Sequence, residues 1–360
     1  MKKQNTFTGI VSISRQNEAI LWQQPFDRHE TFFRLDRQLL QKYKVRNGAD
    51  LLCETQNGRI RRILQINGRE PEVFKMRKSY ENLIASSASE RFDFGSSKYV
   101  SLRLLDLLIP VGKGTRGLIV SPPKAGKTIL LEEIANGIRE INPATRVIIL
   151  LIDERPEEVT SFKMTTSAQI YHSSMDKGFN SHIQLCDLLI DHIKLELECS
   201  NDVIILIDSL TRMGRAYNNS DTRSRSRTMS GGLGSGALEI PRRLFGLARN
   251  VEGGGSCTIL ATILRDTGSR MDEVIFQEFK GTGNCEIILD RGIAEERIFP
   301  AINIKESGTR KEELLIEEAD LEKINRLRRE LLQMPGSRAV QQLLSLFEKF
   351  PTNRELLDSL

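Results

Sequence analysis

Short apolar runs recur along the second half of the chain and predict its strands. Four of them are continuous rather than alternating and are rich in β-branched residues, as in strands that are buried on both faces of a sheet. They are residues 147–152, 203–207, 257–263 and 286–289. Residues 188–198 and 241–251 lie between such runs and carry apolar side chains at helical spacing. This alternation predicts an α/β fold with a mostly parallel sheet that helices cover.

Residues 6–74 follow a different pattern, of short strands separated by turns. The strand-like runs are residues 8–13, 19–22, 51–55 and 60–66. Asn-Gly pairs that begin at Asn47 and Asn57 mark tight turns beside these runs. A β-barrel of this length is often an oligonucleotide-binding (OB) fold. Another small β-barrel and an inert spacer stay open as alternatives.

Small polar residues separate the predicted barrel from the predicted sheet. Serine-rich stretches between residues 85 and 98 are typical of a linker. Two amphipathic helical patterns with a Pro-Gly break between them lie within residues 318–350. We therefore predict a barrel domain at residues 1–75, a linker at 76–99 and an α/β domain with C-terminal helices at 100–360.

Composition narrows the class of protein only a little. The chain has 360 residues, enough for two domains, with a formal net charge of +4 and a pI near 8.7. Its five cysteines are scattered and its four histidines lack metal-ligand spacing, so we expect neither disulfides nor a structural zinc site. The sequence has no apolar signal segment and no run long enough to span a bilayer. We expect a soluble, cytoplasmic protein with no membrane partner.

Residues 121–128, SPPKAGKT, carry the clearest chemistry in the sequence. They join an apolar run to a helical pattern, and a loop in that position cradles phosphates with the backbone N–H groups of the helix N-terminus. Lys127 would reach the β and γ phosphates, Thr128 would hold Mg²⁺, and Gly126 would permit close backbone approach. Ser121 replaces the usual first glycine, so the plain motif is not met, and an ordinary helix start is the alternative.

Two predicted strands end in carboxylates. Asp208 follows the run at 203–207, where a nucleotide-binding sheet holds its Mg²⁺-associated carboxylate, although Asp208 also suits a helix N-cap. Glu154 follows the run at 147–152 and would orient or deprotonate the water that attacks the γ phosphate. An acidic first helical turn is the alternative for this segment. Arg155 would sense or bridge phosphates between subunits.

Arginines mark two further segments. Residues 216–238 are rich in Gly, Ser and Arg, and three arginines alternate with hydroxyl residues at 222–228. Such a segment either grips a nucleic-acid backbone or is only a solvated loop. Arg310 lies between a Gly turn and a charged helix. An arginine there is usually a surface residue, but in ring ATPases it reaches the neighbour's nucleotide and stabilises transition-state charge.

Several separate stretches together resemble one family, the bacterial transcription termination factor Rho, whose members are hexameric RNA-dependent ATPases and helicases. The matching stretches are residues 116–128, 150–160, 202–217, 249–256, 266–284 and 297–313. The combination of PPKAGKT at 122–128 with DERPEE at 153–158 is far more specific than a phosphate loop alone. The loops of this family do not require glycine at the position of Ser121.

The resemblance implies a role for each matching residue. Glu154 is similar to the catalytic glutamate, assisted by Lys127 and by Arg310 as an arginine finger supplied in trans, while Thr128 and Asp208 resemble the residues that hold Mg²⁺ through ATP. The implied nucleotide-binding residues are Pro123, Lys124, Ala125, Gly126, Lys127, Thr128, Arg155, Arg212, Arg297 and Phe299, the last of which stacks on adenine. The implied RNA-binding residues form two pore loops, with Arg227, Thr228, Gly231 and Gly232 in one and Gly268, Ser269 and Arg270 in the other. Arg227 and Arg270 stand where the family commonly has Lys, which keeps the charge and adds bidentate capacity.

The predicted barrel departs from the family pattern. Residues 19–22 and 59–62 replace strands that carry aromatic side chains in the family. Base stacking on aromatic side chains is a main source of affinity for single strands. The loss of these side chains therefore puts the pyrimidine preference of the primary RNA site in doubt. Trp22 is either a remaining platform or a core residue. Arg59, Arg61 and Arg62 would bind the RNA backbone without reading bases.

The resemblance therefore implies a RecA-like P-loop ATPase domain preceded by an OB-fold barrel. It implies a homohexamer that uses ATP and Mg²⁺ to move 5′ to 3′ on single-stranded RNA and to terminate transcription, and it leaves direct binding of RNA polymerase and elongation factors open. Two alternatives remain: another RecA-like ring ATPase, and an RNA-binding paralogue without hydrolysis. Dependence on RNA rather than DNA would separate the first, and the presence of Lys127, Glu154, Asp208 and Arg310 argues against the second.

Overall fold

The structure of the protein is a computed structural model that describes residues 5–14, 16–26, 30–221, 230–234 and 236–360. Its strands are β1 (Asn5–Ile13), β2 (Ala19–Trp22), β3 (Phe32–Leu35), β4 (Asp50–Gln56), β5 (Arg59–Ile66), β6 (Ala85–Ser86), β7 (Arg116–Ser121), β8 (Arg146–Ile152), β9 (Gln169–Ser173), β10 (Asp202–Asp208), β11 (Arg249–Val251), β12 (Ser256–Leu264), β13 (Cys285–Ile288) and β14 (Gly308–Thr309). Its α-helices are α1 (Arg37–Tyr43), α2 (Pro71–Lys75), α3 (Val100–Leu108), α4 (Lys127–Ile141), α5 (Pro156–Thr165), α6 (Phe179–Glu198), α7 (Leu210–Asp221), α8 (Glu239–Phe245), α9 (Arg270–Lys280), α10 (Arg291–Glu295), α11 (Glu318–Leu331), α12 (Gly336–Lys349) and α13 (Asn353–Asp358).

Antiparallel strands form the N-terminal barrel. Their order is β3-β2-β1-β4-β5, and α1 connects β3 to β4. β3 and β5 stand at the two edges of this order and approach each other, so the sheet curls into a partly open barrel around Val11, Leu21, Leu51 and Ile63. The prediction of an OB-like barrel is confirmed, and β2 coincides with the predicted run at 19–22.

A polar seam joins the barrel to α6 of the larger domain. The buried carboxylate of Glu198 accepts hydrogen bonds from Arg46 at 2.6 Å and Arg77 at 2.7 Å. The amide of Asn67 donates to the buried Glu196 Oε1 at 2.7 Å. At Gly48, an added Cβ would lie only 2.5 Å from the backbone nitrogen of His192, so this close approach requires glycine.

The larger domain is built on a twisted sheet of order β14-β13-β7-β12-β10-β8-β9. The pairs from β13 across to β9 are parallel, whereas β14 and the short β11 are antiparallel. Apolar cores cover both faces, with Ile119, Ile149 and Leu206 on one side and Leu150 and Ile205 on the other. Burial on both faces explains why these strands are continuously apolar and confirms the predicted mostly parallel sheet.

The helix predicted over residues 241–251 is wrong in its second half. Helix α8 ends at Phe245, and residues 249–251 form β11, which pairs with β12 on one side and with β6 on the other. Gly253, Gly254 and Gly255 all have positive φ, at 85°, 128° and 83°, and they turn the chain back into β12. This hairpin turn is incompatible with a continuing helix.

The predicted linker is ordered along much of its length. Phe92 and Phe94 are buried in the core of the α/β domain, and the N–H of Tyr80 donates to Glu198 at 3.0 Å. The C-terminal helices also pack on this domain, because Arg103 in α3 donates to the carbonyls of Phe347 and Phe350. In the described part of the chain, no helix combines the length and the apolar character that crossing a membrane requires. The domain boundaries stay predictions.

Candidate active site

The predicted phosphate loop connects β7 to α4 at the C-terminal edge of the parallel strands. Its turn depends on two residues with positive φ, Lys124 at 67° and Gly126 at 89°. Pro123 and Lys124 are exposed, Ala125 is buried, and α4 begins at Lys127. The first backbone N–H groups of a helix have no partner within the helix. The loop and α4 therefore present donors, and the positive end of the helix dipole, to an anion.

Neighbouring strands bring the predicted acidic and basic side chains together beside this loop. β10 lies between β8 and β12, and Asp208 at its end is in register with Leu151 of β8. The fully buried Asp208 accepts hydrogen bonds at Oδ1 from Thr262 at 2.8 Å and from Lys127 Nζ. Glu154, just beyond β8, is also fully buried. The structure thus gathers Lys127, Glu154 and Asp208 at one place.

Glu154 has an unusual environment for a carboxyl group. Burial, followed by the negative charge of Asp208, raises its pKa from 4.5 to about 8, against the opposing influence of Lys127 and Arg212. Arg212 Nε lies 2.6 Å from Glu154 Oε1, but neither carboxyl oxygen accepts a well-aligned hydrogen bond from the described residues. A carboxyl with such a pKa and unused lone pairs is suited to general-base chemistry near neutral pH.

The same carboxylates offer ligands for a divalent cation. One oxygen each of Glu154, Glu158 and Asp208 lies within 4.8 Å of the others. Asp208 Oδ2 is buried and has no hydrogen-bond partner among residues that the structure describes. Thr128 lies in the first turn of α4, next to Lys127. Oxygen ligands of this kind are those that Mg²⁺ prefers, so the residues present fit the predicted ion.

A cavity of 270 Å³ lies beside the phosphate loop. One of its walls is Phe299, whose ring lies so close to Gly126 that an added Cβ there would come within 3.6 Å of it. Ser101 at the start of α3 and Glu133 on α4 also line the cavity, and the Ser101 hydroxyl donates to Glu133 Oε2. An exposed aromatic face next to a phosphate loop is the arrangement predicted for stacking on a base. A larger groove of 710 Å³ beside α1 shares no lining residue with this loop.

Among the predicted arginines that the structure describes, Arg212 is the one that lies in the carboxylate cluster. In addition to its ion pair with Glu154, its guanidinium donates to the carbonyl of Asp153 at 2.9 Å. Arg155, at the N-cap of α5, and Arg297, two residues before Phe299, are both exposed.

Arg310 lies near the start of β7, at the opposite end of the parallel strands from the phosphate loop. Its N–H donates at 2.8 Å to the carbonyl of Asn284, whose side chain accepts from the N–H of Arg116 at the start of β7. The six residues of β7 separate that end from the phosphate loop, a distance of about 17 Å at about 3.3 Å per residue. One chain therefore does not bring Arg310 together with its own Lys127.

The described parts of the two predicted RNA loops lie against each other. Gly231 and Gly232 have positive φ, and an added Cβ on Gly231 would lie 3.0 Å from the carbonyl oxygen of Arg270. Ser269 caps the N-terminus of α9, and Arg270 is exposed. Gly268 has φ of 76° in the turn before this cap. Two other predicted RNA-binding residues, Arg227 and Thr228, lie outside the described residues.

Sequence reasoning missed the residues that link these loops to the carboxylate cluster. Arg215 in α7 forms a bidentate ion pair with the buried Asp272 of α9, which also accepts from Thr267 Oγ1 at 2.6 Å. Arg212 and Arg215 are three residues apart and share one face of α7. Their i, i+3 spacing on the helix that follows the Asp208 strand could have indicated from the sequence that Arg215 belongs with Arg212. The hydrogen bond from Thr262 to Asp208 left no such signal, because Thr262 lies inside an apolar strand.

On the barrel, Trp22 is a core residue and not an exposed platform. It is 6% exposed, belongs to a buried apolar cluster that also contains its strand partner Ile10, and donates from Nε1 to Ser12 Oγ at 2.7 Å. Phe32, at 42% exposed, lies 5.1 Å from it between ring centroids. The three arginines at 59, 61 and 62 are exposed on β5.

Known proteins with similar sequences include a family of nucleotide-binding domains and several transcription termination factors. The sequence matches the ATP synthase alpha/beta family, nucleotide-binding domain, at residues 101–180 and 195–309. It is 43% identical over 334 residues to transcription termination factor Rho of Cereibacter sphaeroides, which covers 90% of this chain and 79% of that protein. The factor of the same name from Pseudomonas aeruginosa is 48% identical over 299 residues, covering 82% of this chain and 71% of that protein. The one from Akkermansia muciniphila is 48% identical over 297 residues, covering 82% and 62% respectively.

Among solved structures, a prototypical ATPase from the type III secretion system of pathogenic bacteria has a similar fold. The TM-score is 0.64 at 20% sequence identity, and the match covers 77% of this chain and 85% of that one. At this identity the likeness concerns the fold alone. Together with the match to a nucleotide-binding domain family, it confirms the predicted fold class of the larger domain.

Proposed function

This chain belongs to the transcription termination factor Rho family, and we propose on that basis that it is an RNA-stimulated ATPase that moves 5′ to 3′ along single-stranded RNA and ends transcription on the nascent transcript. The name of the relatives supports the role in termination, and the match to a nucleotide-binding ATPase domain supports hydrolysis of ATP. The observation that carries the proposal is the cluster of Lys127 with the buried Glu154 and Asp208 beside the phosphate loop. A buried pair of carboxylates, one of which has a raised pKa, is typical of a catalytic site rather than of a module that only binds RNA.

Glu154 acts as the general base of hydrolysis. It takes a proton from the attacking water while the water oxygen bonds to the γ phosphorus and the bond to the β–γ bridging oxygen breaks, which leaves ADP and phosphate. The raised pKa of Glu154 gives it enough basicity to accept this proton. Arg212, paired with one carboxyl oxygen, keeps the side chain in position.

Lys127 would neutralise part of the phosphate charge, and a Mg²⁺ ion held by nearby oxygen ligands would neutralise more of it. Lys127 starts α4, so its ammonium group lies where the β and γ phosphates would reach the helix N-terminus. Thr128 and Asp208, with Glu158 nearby, would hold Mg²⁺, which when bound supplies charge neutralisation between the β and γ phosphates. The adenine would stack on Phe299, and Pro123, Lys124, Ala125, Gly126 and Arg155 would surround the phosphates.

Arg310 completes the site of a neighbouring subunit in a homohexamer. Its distance from the phosphate loop of its own chain supports this role, because an arginine on that edge reaches a nucleotide only across an interface. Arg297 would lie at the same interface. An arginine supplied in this way stabilises charge on the transferred phosphoryl group.

RNA binding is coupled to hydrolysis through α7. Arg270, Gly231, Gly232, Gly268 and Ser269 present donors to an RNA backbone, together with Arg227 and Thr228. The Arg215–Asp272 pair ties the Arg270 loop to α7, and Arg212 on the same helix pairs with Glu154. Movement of the Arg270 loop on RNA would therefore shift α7 and, through Arg212, the position of the Glu154 carboxyl. On the barrel, the exposed arginines of β5 would hold RNA by its backbone.

The test is ATP hydrolysis by the purified full-length protein with no nucleic acid, poly(C), poly(U), mixed-sequence RNA and DNA, at fixed salt because phosphate contacts are salt-dependent. Stimulation by RNA and not by DNA is expected. Comparable stimulation by all RNAs would show backbone-driven capture by the barrel, and stimulation by poly(C) alone would show that it still reads pyrimidines. RNA binding without turnover would refute the ATPase, and equal stimulation by DNA would favour a different ring ATPase. RNA polymerase and elongation factors are partners to test by adding them to a termination assay.

A further inference from the structure

A second cavity lies at the end of the sheet away from the phosphate loop, between β6, the start of β7 and the loop that carries Arg310. Its volume is 340 Å³, which is within the range of small-molecule sites, and it shares no lining residue with the cavity beside Phe299. Four basic side chains line it, those of Arg116, Arg249, Arg310 and Lys311. Among the described residues that line this cavity there is no aspartate or glutamate. The cavity therefore carries an excess of positive charge.

The register of the strands places two of these arginines side by side. Arg249 of β11 is opposite Cys257 of β12. Arg116 of β7 is opposite Ile259, two residues further along β12. β10 occupies the other edge of β12 over these residues, so β11 and β7 follow each other along one edge. Side chains two residues apart on a strand share a face, and so do those directly opposite them. The two arginines thus lie on one face of the sheet, with their Cα atoms about 7 Å apart.

The guanidinium groups of Arg116 and Arg249 lack a counter-ion among the residues that the structure describes. The Nε atoms of both are buried and have no hydrogen-bond partner there. The Arg249 guanidinium donates to the carbonyl of Gly246 at 3.2 Å and lies 4.8 Å from the centroid of the Tyr80 ring, neither of which carries a full negative charge. Burial, followed by the positive charge of Arg249, lowers the pKa of Arg116. An anion between these two half-buried cations would offset both their burial and their mutual repulsion.

We propose that this cavity binds a small phosphate oxyanion, with Arg116 and Arg249 as its principal ligands. A guanidinium presents a planar fork of N–H donors that matches the oxygens of a phosphate group. Two such forks on neighbouring strand positions suit an anion with two or more charges, and the exposed Lys311 adds a third cation. The ligand is free orthophosphate or pyrophosphate, or the terminal phosphates of a nucleotide, which share this chemistry. Arg310 is not needed as a ligand, because the proposed function assigns it to the nucleotide of a neighbouring subunit.

The test is binding of radiolabelled orthophosphate and pyrophosphate to the full-length protein, measured by equilibrium dialysis. A non-hydrolysable ATP analogue and Mg²⁺ are present at saturation, so that the phosphate loop is occupied. The variants are Arg116→Gln and Arg249→Gln. The matched control is Arg139→Gln, which makes the same change at an exposed position of α4 outside the cavity.

We expect the wild type to bind at least one of the two anions beyond the occupied phosphate loop. Arg116→Gln and Arg249→Gln should each weaken this binding by about tenfold to 100-fold, because a hydrogen bond to a charged group is lost. Arg139→Gln should leave it unchanged. Displacement of the labelled anion by ADP at a lower concentration than by unlabelled pyrophosphate would identify a nucleotide as the source of the phosphates, and the reverse order would identify the free anion.

Thermal unfolding gives an independent measurement. Pyrophosphate at about 100 times its dissociation constant should raise the unfolding midpoint of the wild type, because a ligand that binds the folded state stabilises it. The same addition should have little effect on either variant. If one variant does not fold, the other provides the same comparison. Because the measurement is of binding, and the variants separate this cavity from the phosphate loop, the result does not depend on whether the protein hydrolyses ATP.

Three results would overturn the proposal. The first is that orthophosphate, pyrophosphate and ADP all fail to bind beyond the occupied phosphate loop, as expected if a carboxylate of a second copy fills the cavity. The second is binding that Arg116→Gln and Arg249→Gln both leave unchanged. The third is RNA binding that both variants weaken while none of the small anions binds, which would make the RNA backbone the ligand.

Discussion

Replacing Glu154 by Gln tests the physical basis of the candidate site most directly. The change keeps the shape of the side chain and removes its charge. Because the base is lost, RNA-stimulated hydrolysis should fall by about 100-fold to 10,000-fold. The same change should make the protein more stable at neutral pH, since the native state no longer has to hold a carboxyl in an unfavourable environment.

The size of the stability change follows from the pKa of Glu154. The folded-state pKa is raised from 4.5 to about 8, so between these values the folded protein keeps a proton that the unfolded chain releases. The free energy of unfolding of the wild type therefore falls as pH rises through this window. A pH of 7 exceeds the pKa of this carboxyl in the unfolded chain by about 2.5 units. At about 1.36 kcal/mol per unit, the free energy of unfolding of the wild type is lowered by about 3 kcal/mol. Glu154→Gln removes this penalty, and the gain should vanish near pH 4.

The assay is denaturant unfolding of wild type and variant at a series of pH values and one protein concentration, because assembly contributes to apparent stability. Glu157→Gln is the matched control, because it makes the same chemical change at an exposed position in the first turn of α5. In the wild type, kcat/KM should rise with pH up to about 8, because the base must lose its proton to act. A Glu154→Gln variant no more stable than wild type at pH 7, or one that hydrolyses ATP normally, would refute the reasoning.

Three other outcomes are expected. Arg310→Ala and Lys127→Ala should each abolish hydrolysis alone. Mixed assemblies of the two variants should recover part of the activity in an ATPase assay, because some interfaces then pair an intact Lys127 with an intact Arg310. No recovery would argue against action in trans. Arg215→Ala should lower RNA-stimulated hydrolysis by about tenfold or more while basal hydrolysis changes little, and an equal loss of both would contradict a coupling role. Trp22→Ala should cost about 3–5 kcal/mol in denaturant unfolding, whereas a loss of RNA affinity at unchanged stability would restore the platform interpretation.

The parts of the fold that depend on burial alone were predictable from the sequence. The strands β8, β10, β12 and β13 appear as apolar runs because both of their faces are covered, and the phosphate loop is recognisable because its residue types are dictated by close approach to phosphate. The end of α8 was not predictable, because pairing of β11 with β12 overrides a helical pattern.

Contacts between distant segments account for most of what the sequence did not indicate. The Arg215–Asp272 ion pair joins residues that are 57 positions apart, and the Arg46–Glu198 ion pair joins residues that are 152 apart. No pattern among neighbouring residues of the sequence indicates either pair. The raised pKa of Glu154 likewise follows from burial beside Asp208, which becomes visible only when β8 and β10 are placed next to each other. The sequence could not decide whether Trp22 is a stacking platform or a core residue, because its burial depends on the folded structure.

The separation of Arg310 from the phosphate loop within one chain has a consequence for assembly. In the proposed ring, one subunit would offer its phosphate loop and its neighbour would offer Arg310. The two surfaces in contact would therefore be unlike, and the contact would be head-to-tail, or heterologous. A pair of subunits joined in this way still has one unoccupied surface of each kind. Further subunits therefore add until the rotation between neighbours closes a ring. If the rotation falls short, the same contact generates an open spiral whose last subunit lacks a finger. The number of competent sites then depends on closure, and a spiral of n subunits has one site fewer than a ring of n.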